Sequence, residues 1–176
     1  MDIKIDLPLT AEKVADLHAG DTVKLSGIIY TARDAAHKRL VAALDANEPL
    51  PVELQNATIY FAGPCPAPPG RPIGSAGPTT SGRMAAYSPR LIRECGLRGM
   101  IGKGERNAAV QQAMQESGAI YFAATGGAGA LIARSIIAAE VVAFEDLGPE
   151  AIRKLTVKDF PVIVAIDDKG GNLYNR

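Results

Sequence analysis

The chain has no tryptophan, and it contains only two cysteines and two histidines among its 176 residues. Cys65 and Cys95 are far apart in the sequence and form no CxxC pair, and His18 and His37 are equally isolated. A four-coordinate metal site or an iron–sulfur cluster needs three or four such ligands. We therefore expect this chain to bind no metal by itself, and we expect its few thiols to stay reduced in a cytoplasmic protein.

An excess of charge and long apolar segments are also missing. The 19 Lys and Arg residues balance the 19 Asp and Glu residues, whereas a nucleic-acid-binding protein concentrates basic side chains on one surface. No apolar run reaches the ~18 residues that span a bilayer. The opening MDIKIDLPLT lacks the charged-then-apolar order of a signal peptide. We expect a cytoplasmic protein that binds neither nucleic acid nor membranes.

What the chain does contain is a high content of aliphatic residues in alternating patterns. Apolar residues make up 47% of the sequence but aromatic ones only 5%, so the core must consist mainly of Ala, Val, Ile and Leu. A chain of this length buries roughly 70% of its unfolded surface, which is enough for one domain over residues 1–176. Strand patterns alternate with helix patterns, which predicts an α/β fold with a layered sheet and flanking helices.

The individual elements follow from periodicity and from end signals. The predicted strands are 3–7, 22–32, 57–63, 99–104, 119–125, 136–144 and 161–167. The predicted helices are 11–17 (capped by Thr10 and closed by Gly20), 34–46, 83–95, 105–117, 126–135 and 148–157. In the last of these, Pro149 occupies a favourable first-turn position.

Residues 63–82, GPCPAPPGRPIGSAGPTTSG, interrupt this alternation. The segment is rich in proline and glycine and has almost nothing that could pack in a core. A structureless segment of this length inside a compact domain is usually a binding loop or a linker. Because the α/β pattern continues after it, we interpret it as a functional loop.

Three groups of polar residues stand next to glycines or at strand ends, where α/β folds place ligand sites. Arg33 and Asp34 follow a predicted strand in TARDAAHKR, Thr79 and Arg83 belong to GPTTSGR, and Lys103 belongs to GKGE. If the three cations converge, they form a site for a small anion, either a carboxylate or a phosphate. Taken singly, each group also fits a structural role as a surface ion pair, a helix cap or a solvated turn.

Two further features are weaker candidates for a functional site. TGGAGA follows a predicted strand and could hold an anion through backbone N–H groups, but it matches neither the Walker A pattern nor GxGxxG. Close backbone packing is the alternative. Cys65 lies between two prolines with no base beside it, which disfavours a catalytic thiol.

The ordered motifs TARDAAHKR, AGPTTSGRM, MIGKGE and YFAATGGAGAL together resemble the β-type region of class I fumarate hydratases and L-tartrate dehydratases. The resemblance extends from about Asp21 to Tyr174, and the loop GPCPAPPGRPIGSAGPTTSGRM is its most specific part. In this family the region is either a separate β subunit or the C-terminal half of a longer chain. The resemblance implies a swivelling β/β/α domain.

The resemblance also implies a partner and a reaction. In the family, an α subunit or α region carries the cysteines of a four-iron, four-sulfur cluster, and the β region supplies substrate-binding residues. We therefore expect a hetero-oligomeric hydro-lyase that is active only with its α subunit and that reversibly hydrates fumarate to (S)-malate. Self-association of the isolated chain is left open.

Residue roles are carried over by motif. Arg33, Arg83 and Lys103 match family residues that bind substrate carboxylates, and Thr79 matches the threonine assigned as catalytic base. A dianionic substrate needs such cations, which would also stabilise charge on the carboxylate during proton abstraction and favour an ionised threonine.

Three neighbouring residues are expected to support this site. Thr80 offers a second hydroxyl, and sequence alone does not decide between it and Thr79. Asp34 and His37 are expected to orient Arg33 or to cap its helix. One departure from the family pattern is AAY after TTSGRM, where an acidic residue would be expected, so the means of fixing Arg83 is an open question.

Alternatives remain within and outside the enzyme class. L-Tartrate dehydration to oxaloacetate is the second reading, and another dicarboxylate hydratase, such as a mesaconate hydratase, is also open. A different class altogether is a non-catalytic dicarboxylate-binding or assembly module. Retention of Thr79, Arg83 and Lys103 argues for the enzyme.

Overall fold

The computed structural model describes residues 2–64, 67–74, 76–124 and 129–175. Its strands are β1 (Ile3–Asp6), β2 (Thr22–Thr31), β3 (Thr58–Tyr60), β4 (Gly99–Gly102), β5 (Ile120–Ala124), β6 (Ile136–Ala143) and β7 (Ile152–Ile166). Its α-helices are α1 (Ala11–Ala15), α2 (Asp34–Asp45), α3 (Ser88–Cys95), α4 (Ala108–Ser117) and α5 (Gly129–Ser135). Short 3-10 helices cover Ser81–Met84, Glu145–Glu150 and Leu173–Asn175.

The strands form one seven-stranded sheet in the order β1-β2-β3-β4-β5-β7-β6, and β2 also pairs with β7. The first five strands are mutually parallel. The long β7 runs antiparallel to β2, β5 and β6. Because β7 bonds to β5 along one edge and to β2 along the other, the sheet closes into a barrel. The predicted mixed α/β class is confirmed, but the closure was not predicted.

Alternate residues of the central strands face two different cores. Tyr60, Ile101 and Phe122 point into the closed sheet, where they meet residues of β2 and β7. Their neighbours in the strands face the opposite core, which α2, α3 and α4 cover. The period of two follows from strand geometry, and because both faces are covered, β3–β5 are buried at almost every position.

Most predicted elements are present, but three differ from the prediction. The helix predicted over 83–95 begins only at Ser88, after a 3-10 helix at Ser81–Met84. The helix predicted over 148–157 is wrong, because Ile152 begins a strand of 15 residues that runs on through Pro161. Helix α1 ends at Ala15 with Asp16 as its C-cap. Gly20 instead lies beyond it with a φ of 100°.

In the part of the chain that the structure describes, no helix is long and apolar enough to cross a membrane.

The proline- and glycine-rich loop has more core contact than its composition predicts. Ile73 and Ala76 are both 6% exposed and pack inside the closed sheet. The buried Tyr60 hydroxyl donates a hydrogen bond to the Ala76 carbonyl. These contacts anchor the middle of the loop, so that its last residues return to the ends of the central strands.

Candidate functional site

The three predicted cations lie at the carboxyl ends of neighbouring strands. Arg33 follows β2, Lys103 follows β4, and Arg83 lies in the 3-10 helix at the end of the loop between β3 and α3. Because β2, β3 and β4 are parallel and adjacent, these ends meet at one edge of the sheet. Adjacent strands of a sheet are about 5 Å apart, so Arg33 and Lys103 follow strands that are two such spacings apart. The fold therefore brings the three sequence groups to one region.

The end of the loop is bound to these strand ends by main-chain hydrogen bonds. The Thr79 amide donates to the Phe61 carbonyl over 2.7 Å, and the Ser81 amide donates to the Lys103 carbonyl over 2.8 Å. Thr80 forms a parallel β-bridge with Lys103. Residues 79–81 thus extend the sheet and fix the hydroxyl-bearing residues beside Lys103.

Gly102, the last residue of β4, makes this approach possible. A Cβ at that position would lie 2.0 Å from the Ser81 hydroxyl oxygen and 2.8 Å from the Phe61 ring. A side chain would therefore push the loop away from the strand. Gly102, the first glycine of GKG, is therefore needed so that the loop can lie close to the end of β4.

Arg33 is held at the start of α2, where its side chain packs on Gly63. A Cβ on Gly63 would come within 2.9 Å of Arg33 Cδ and 3.0 Å of its Nη1. The buried Nε of Arg33 has no hydrogen-bond partner among the described residues. Glu150 Oε1 accepts from the Ala35 amide over 3.2 Å, which caps the helix from outside it. Among the described residues Arg33 has no ion pair, and its side chain is held by packing.

Arg83 has the ion pair instead. Its Nε donates to Asp34 Oδ2 over 2.8 Å, and the side chains of Arg83 and Asp34 are 54% and 32% exposed. The contact uses Nε, and the two terminal nitrogens make no hydrogen bond to a described residue, so they can donate to a carboxylate. Asp34 was expected to orient Arg33 or to cap its helix; the structure makes it the acidic partner of Arg83. Asp34 thus gives Arg83 an acidic partner although AAY follows TTSGRM.

His37 lies one turn into α2 and is fully buried. Its Nδ1 contacts the Arg33 carbonyl over 2.8 Å, and its ring lies edge-on to Phe61 at 5.4 Å. Burial lowers the pKa of His37 to about 4, so the ring is neutral at pH 7 and Nδ1 is the donor. The ring therefore holds the backbone of Arg33, and the orienting role of His37 stays a prediction.

The two threonines differ in exposure. Thr79 is half-buried and Thr80 is exposed, with Lys103 exposed beside it. The Thr80 methyl group faces Gly104, where a built Cβ would be 3.9 Å away. These positions put both hydroxyls within the strand-end region, so the choice of base remains a prediction.

Sequence reasoning missed Arg106 and Tyr121, which lie beneath the loop. Arg106 is 2% exposed and its Nη1 donates to the Ser81 carbonyl over 2.7 Å. The Tyr121 hydroxyl donates to the Gly104 carbonyl over 2.8 Å and accepts from the Ser81 hydroxyl over 2.7 Å. Nothing in GKGERN distinguishes a buried arginine from a solvated one, so no sequence signal marked it.

Metal ligands do not cluster in residues 2–64, 67–74, 76–124 and 129–175, where no three His, Cys, Asp or Glu side chains are placed to hold an ion. The described residues therefore do not fit an iron–sulfur cluster. Cys65 and residues 125–128 of the TGGAGA motif lie outside the described part of the chain.

A model of the protein family described as Fumarase C-terminus matches residues 1–176. The anaerobic class I fumarate hydratase of Escherichia coli strain K12 is 37% identical over 179 residues, which cover 99% of this chain and 33% of that protein. Fumarate hydratase 2 of Leishmania major gives the same identity and covers 32% of that protein. This chain thus spans about a third of the length of these relatives.

A relative of similar length is a putative L(+)-tartrate dehydratase subunit beta of Methanocaldococcus jannaschii. It is 39% identical over 173 residues, which cover 96% of this chain and 89% of that protein. The matches extend over nearly the whole chain and include proteins of both names. The chain therefore belongs to the Fumarase C-terminus family, and its resemblance to the β-type region of class I fumarate hydratases and L-tartrate dehydratases is confirmed.

Proposed function

We propose that this chain is the β subunit of an iron–sulfur hydro-lyase that reversibly hydrates fumarate to (S)-malate. The observation that carries the proposal is the meeting of Arg33, Arg83, Lys103 and Thr79 at the ends of three parallel strands. The family membership supports the reaction class. The single domain over residues 1–176 would be the swivelling β/β/α domain of a cytoplasmic hetero-oligomer.

The cations would bind the two carboxylates of the substrate. A dicarboxylate loses its hydration when it enters a closed site, and several fixed positive charges offset that loss. Asp34 binds Arg83 through Nε, so the two terminal guanidinium nitrogens of Arg83 would be available to a substrate carboxylate. Lys103 is bound to the loop through its main chain, so its ammonium group and Thr79 would meet the same substrate.

Thr79 would remove the proton next to a carboxylate, beside an aspartate of the α subunit. A threonine hydroxyl is a very weak base in water, and nearby positive charge is what favours its ionised form. The same charges stabilise the negative charge that develops on the substrate carboxylate. Thr80 would support the site from its exposed position.

The cluster would belong to the α subunit, because the described residues offer no ligand set for it. When bound there, it supplies a Lewis acid for the substrate hydroxyl. The active site would then lie between the two subunits, and the β chain alone would be inactive.

The second candidate is dehydration of L-tartrate to oxaloacetate. It is favoured by the relative of similar length whose name is that of a tartrate dehydratase β subunit. The third candidate, a non-catalytic dicarboxylate-binding or assembly module, would retain the cations without the reaction.

Anaerobic turnover by the chain alone and by the chain mixed with a cluster-reconstituted α subunit separates these candidates. Fumarate hydration in the mixture only is the expected result. Turnover of tartrate but not of fumarate would change the assigned substrate and leave the assigned site residues unchanged. Inactivity on both substrates with a loaded cluster would contradict the enzyme and favour the binding module.

A further inference from the structure

Arg106 is a buried charged residue that contacts the loop and that the proposed reaction does not use. Its guanidinium lies over the rings of Phe61 and Tyr121, at 5.1 and 5.5 Å from their centres. None of its hydrogen-bond partners within the described residues is a carboxylate. A buried charge without a counter-charge is unfavourable for stability alone. The hydrogen bonds that the guanidinium donates to the loop and to Ser88 must offset that cost.

The contacts of Arg106 connect both segments that line the strand ends. Nη1 donates to the Ser81 carbonyl over 2.7 Å, and Nη2 donates to the Ser88 hydroxyl. Ser88 in turn donates to the Met84 carbonyl over 3.1 Å. The two nitrogens therefore fix both ends of the turn that carries Arg83.

The main chain of Arg106 is itself fixed. Its carbonyl accepts from the Gln111 side chain over 2.8 Å, and the next residue, Asn107, caps α4 by accepting from the Val110 amide over 3.0 Å. Arg106 lies three residues after Lys103 in the same turn. A rigid helix end therefore supports both Lys103 and the loop.

We propose that Arg106 is a positioning residue for the anion site, whose forked guanidinium holds the Thr79–Arg83 loop against the end of β4 so that Arg83 and Lys103 bind one substrate together. The proposal rests on the proposed function for the identity of the substrate, a small dicarboxylate. Lysine cannot replace arginine here, because an ammonium group cannot reach the Ser81 and Ser88 acceptors with parallel donors and stack between two rings.

Hydrogen exchange of the isolated chain tests the holding of the loop. The Ser81 amide, which donates to the Lys103 carbonyl, is the reporter, and the amides of β4 and β5 are the internal reference. In Arg106→Lys we expect the Ser81 amide to exchange about tenfold faster with the reference amides unchanged. The matched control is Arg98→Lys, because Arg98 also bridges backbone carbonyls but lies away from the loop.

Succinate affinity of the same variants is the second readout. We expect Arg106→Lys to weaken succinate binding about tenfold and Arg98→Lys to leave it unchanged. A merely structural Arg106 would lower the melting temperature but would alter neither succinate affinity below that temperature nor the relative exchange of Ser81. That result would overturn the proposal.

If Arg106→Lys does not fold, Ser88→Ala provides the second variant, since it removes the Nη2 acceptor and keeps the charge. We expect a smaller change in the same direction, and no change would contradict the role. If the wild-type chain binds no succinate, the exchange rate of the Ser81 amide in the variants relative to wild type tests whether Arg106 holds the loop. If the wild-type chain shows no turnover with the α subunit but the Ser81 amide exchanges faster in Arg106→Lys, the proposed reaction is rejected and the positioning role is retained.

Discussion

At the scale of single residues, His37 gives the chain a pH dependence of its own. Its pKa falls from 6.5 in the unfolded chain to about 4 in the folded one, because burial disfavours the charged ring. Neutral His37 therefore stabilises the fold fully above pH 6.5, and this contribution is lost as pH falls from 6.5 towards 4. The loss amounts to roughly 3 kcal/mol of the free energy of unfolding.

Urea unfolding of wild type, His37→Gln and His18→Gln at several pH values checks this. The other histidine of the chain, His18, is exposed and serves as the matched control. Wild type and His18→Gln should lose stability more steeply between pH 6.5 and 4 than His37→Gln. Equal slopes for all three proteins would contradict the buried neutral state.

Arg83→Lys should damage substrate binding, because lysine cannot donate two parallel hydrogen bonds to a carboxylate. We expect kcat/KM for fumarate to fall about ten- to a hundredfold in the assembled enzyme. The control is Arg93→Lys, which alters a surface arginine paired with Glu116 on the helices. A normal KM in Arg83→Lys would remove Arg83 from the binding role.

The identity of the base is testable by comparing two adjacent hydroxyls. Thr79→Ala should lower kcat by about 10²–10⁴-fold, as loss of a general base does, whereas Thr80→Ala should keep most of it. Steady-state kinetics of both variants with the α subunit distinguish them. Loss of kcat in Thr80→Ala alone would transfer the assignment to Thr80.

At the level of residues, the sequence singled out side chains that belong to short motifs and missed the buried Arg106 and Tyr121. Arg33, Arg83 and Lys103 stand in short motifs beside glycine, and the structure brings them to one region. Arg106 could not be found in this way, because its partners are distant carbonyl and hydroxyl groups that only the fold brings near. For the same reason Asp34 was not linked with Arg83.

At the scale of secondary-structure elements, Gly102 sets how closely the loop approaches β4. Gly102→Ala should destabilise the chain by about 1–3 kcal/mol and weaken succinate binding, because the new methyl group overlaps the Ser81 hydroxyl. Gly77→Ala is the control, since a Cβ there meets nothing within 4 Å among the described residues.

Thermal unfolding and succinate titration of both variants measure the difference. Unchanged stability and affinity in Gly102→Ala would show that the loop does not need the close approach.

Strand β7 shows why one element was predicted wrongly. Ile152 and Leu155 have helical spacing, and Pro149 just before them suits a helix start, so ten residues taken alone favour a helix. Pairing with β2 from Arg153 to Ile163 makes this segment a strand. From Leu155 to Val164, the buried positions alternate, with an interruption next to Asp159, whose φ is 54°. Such long-range pairing is not visible in a local pattern.

At the scale of the whole molecule, closure of the sheet by β7 fixes the relative positions of the carboxyl ends of β2, β3 and β4. The α/β class followed from the alternation of strands and helices, but closure depends on one strand pairing with both β2 and β5. With the sheet closed, the carboxyl ends of β2, β3 and β4 keep a constant spacing. The loop between β3 and α3 then completes the surface that would face an α subunit.

The most direct test of this account is anaerobic fumarate hydration by the chain mixed with a cluster-reconstituted α subunit, measured for wild type, Lys103→Met and Lys4→Met. Lys4 is an exposed lysine of β1, away from the strand ends of β2–β4. The account predicts that wild type and Lys4→Met have equal kcat/KM and that Lys103→Met falls about a hundredfold. Equal kcat/KM in all three proteins would contradict a dicarboxylate site at these strand ends.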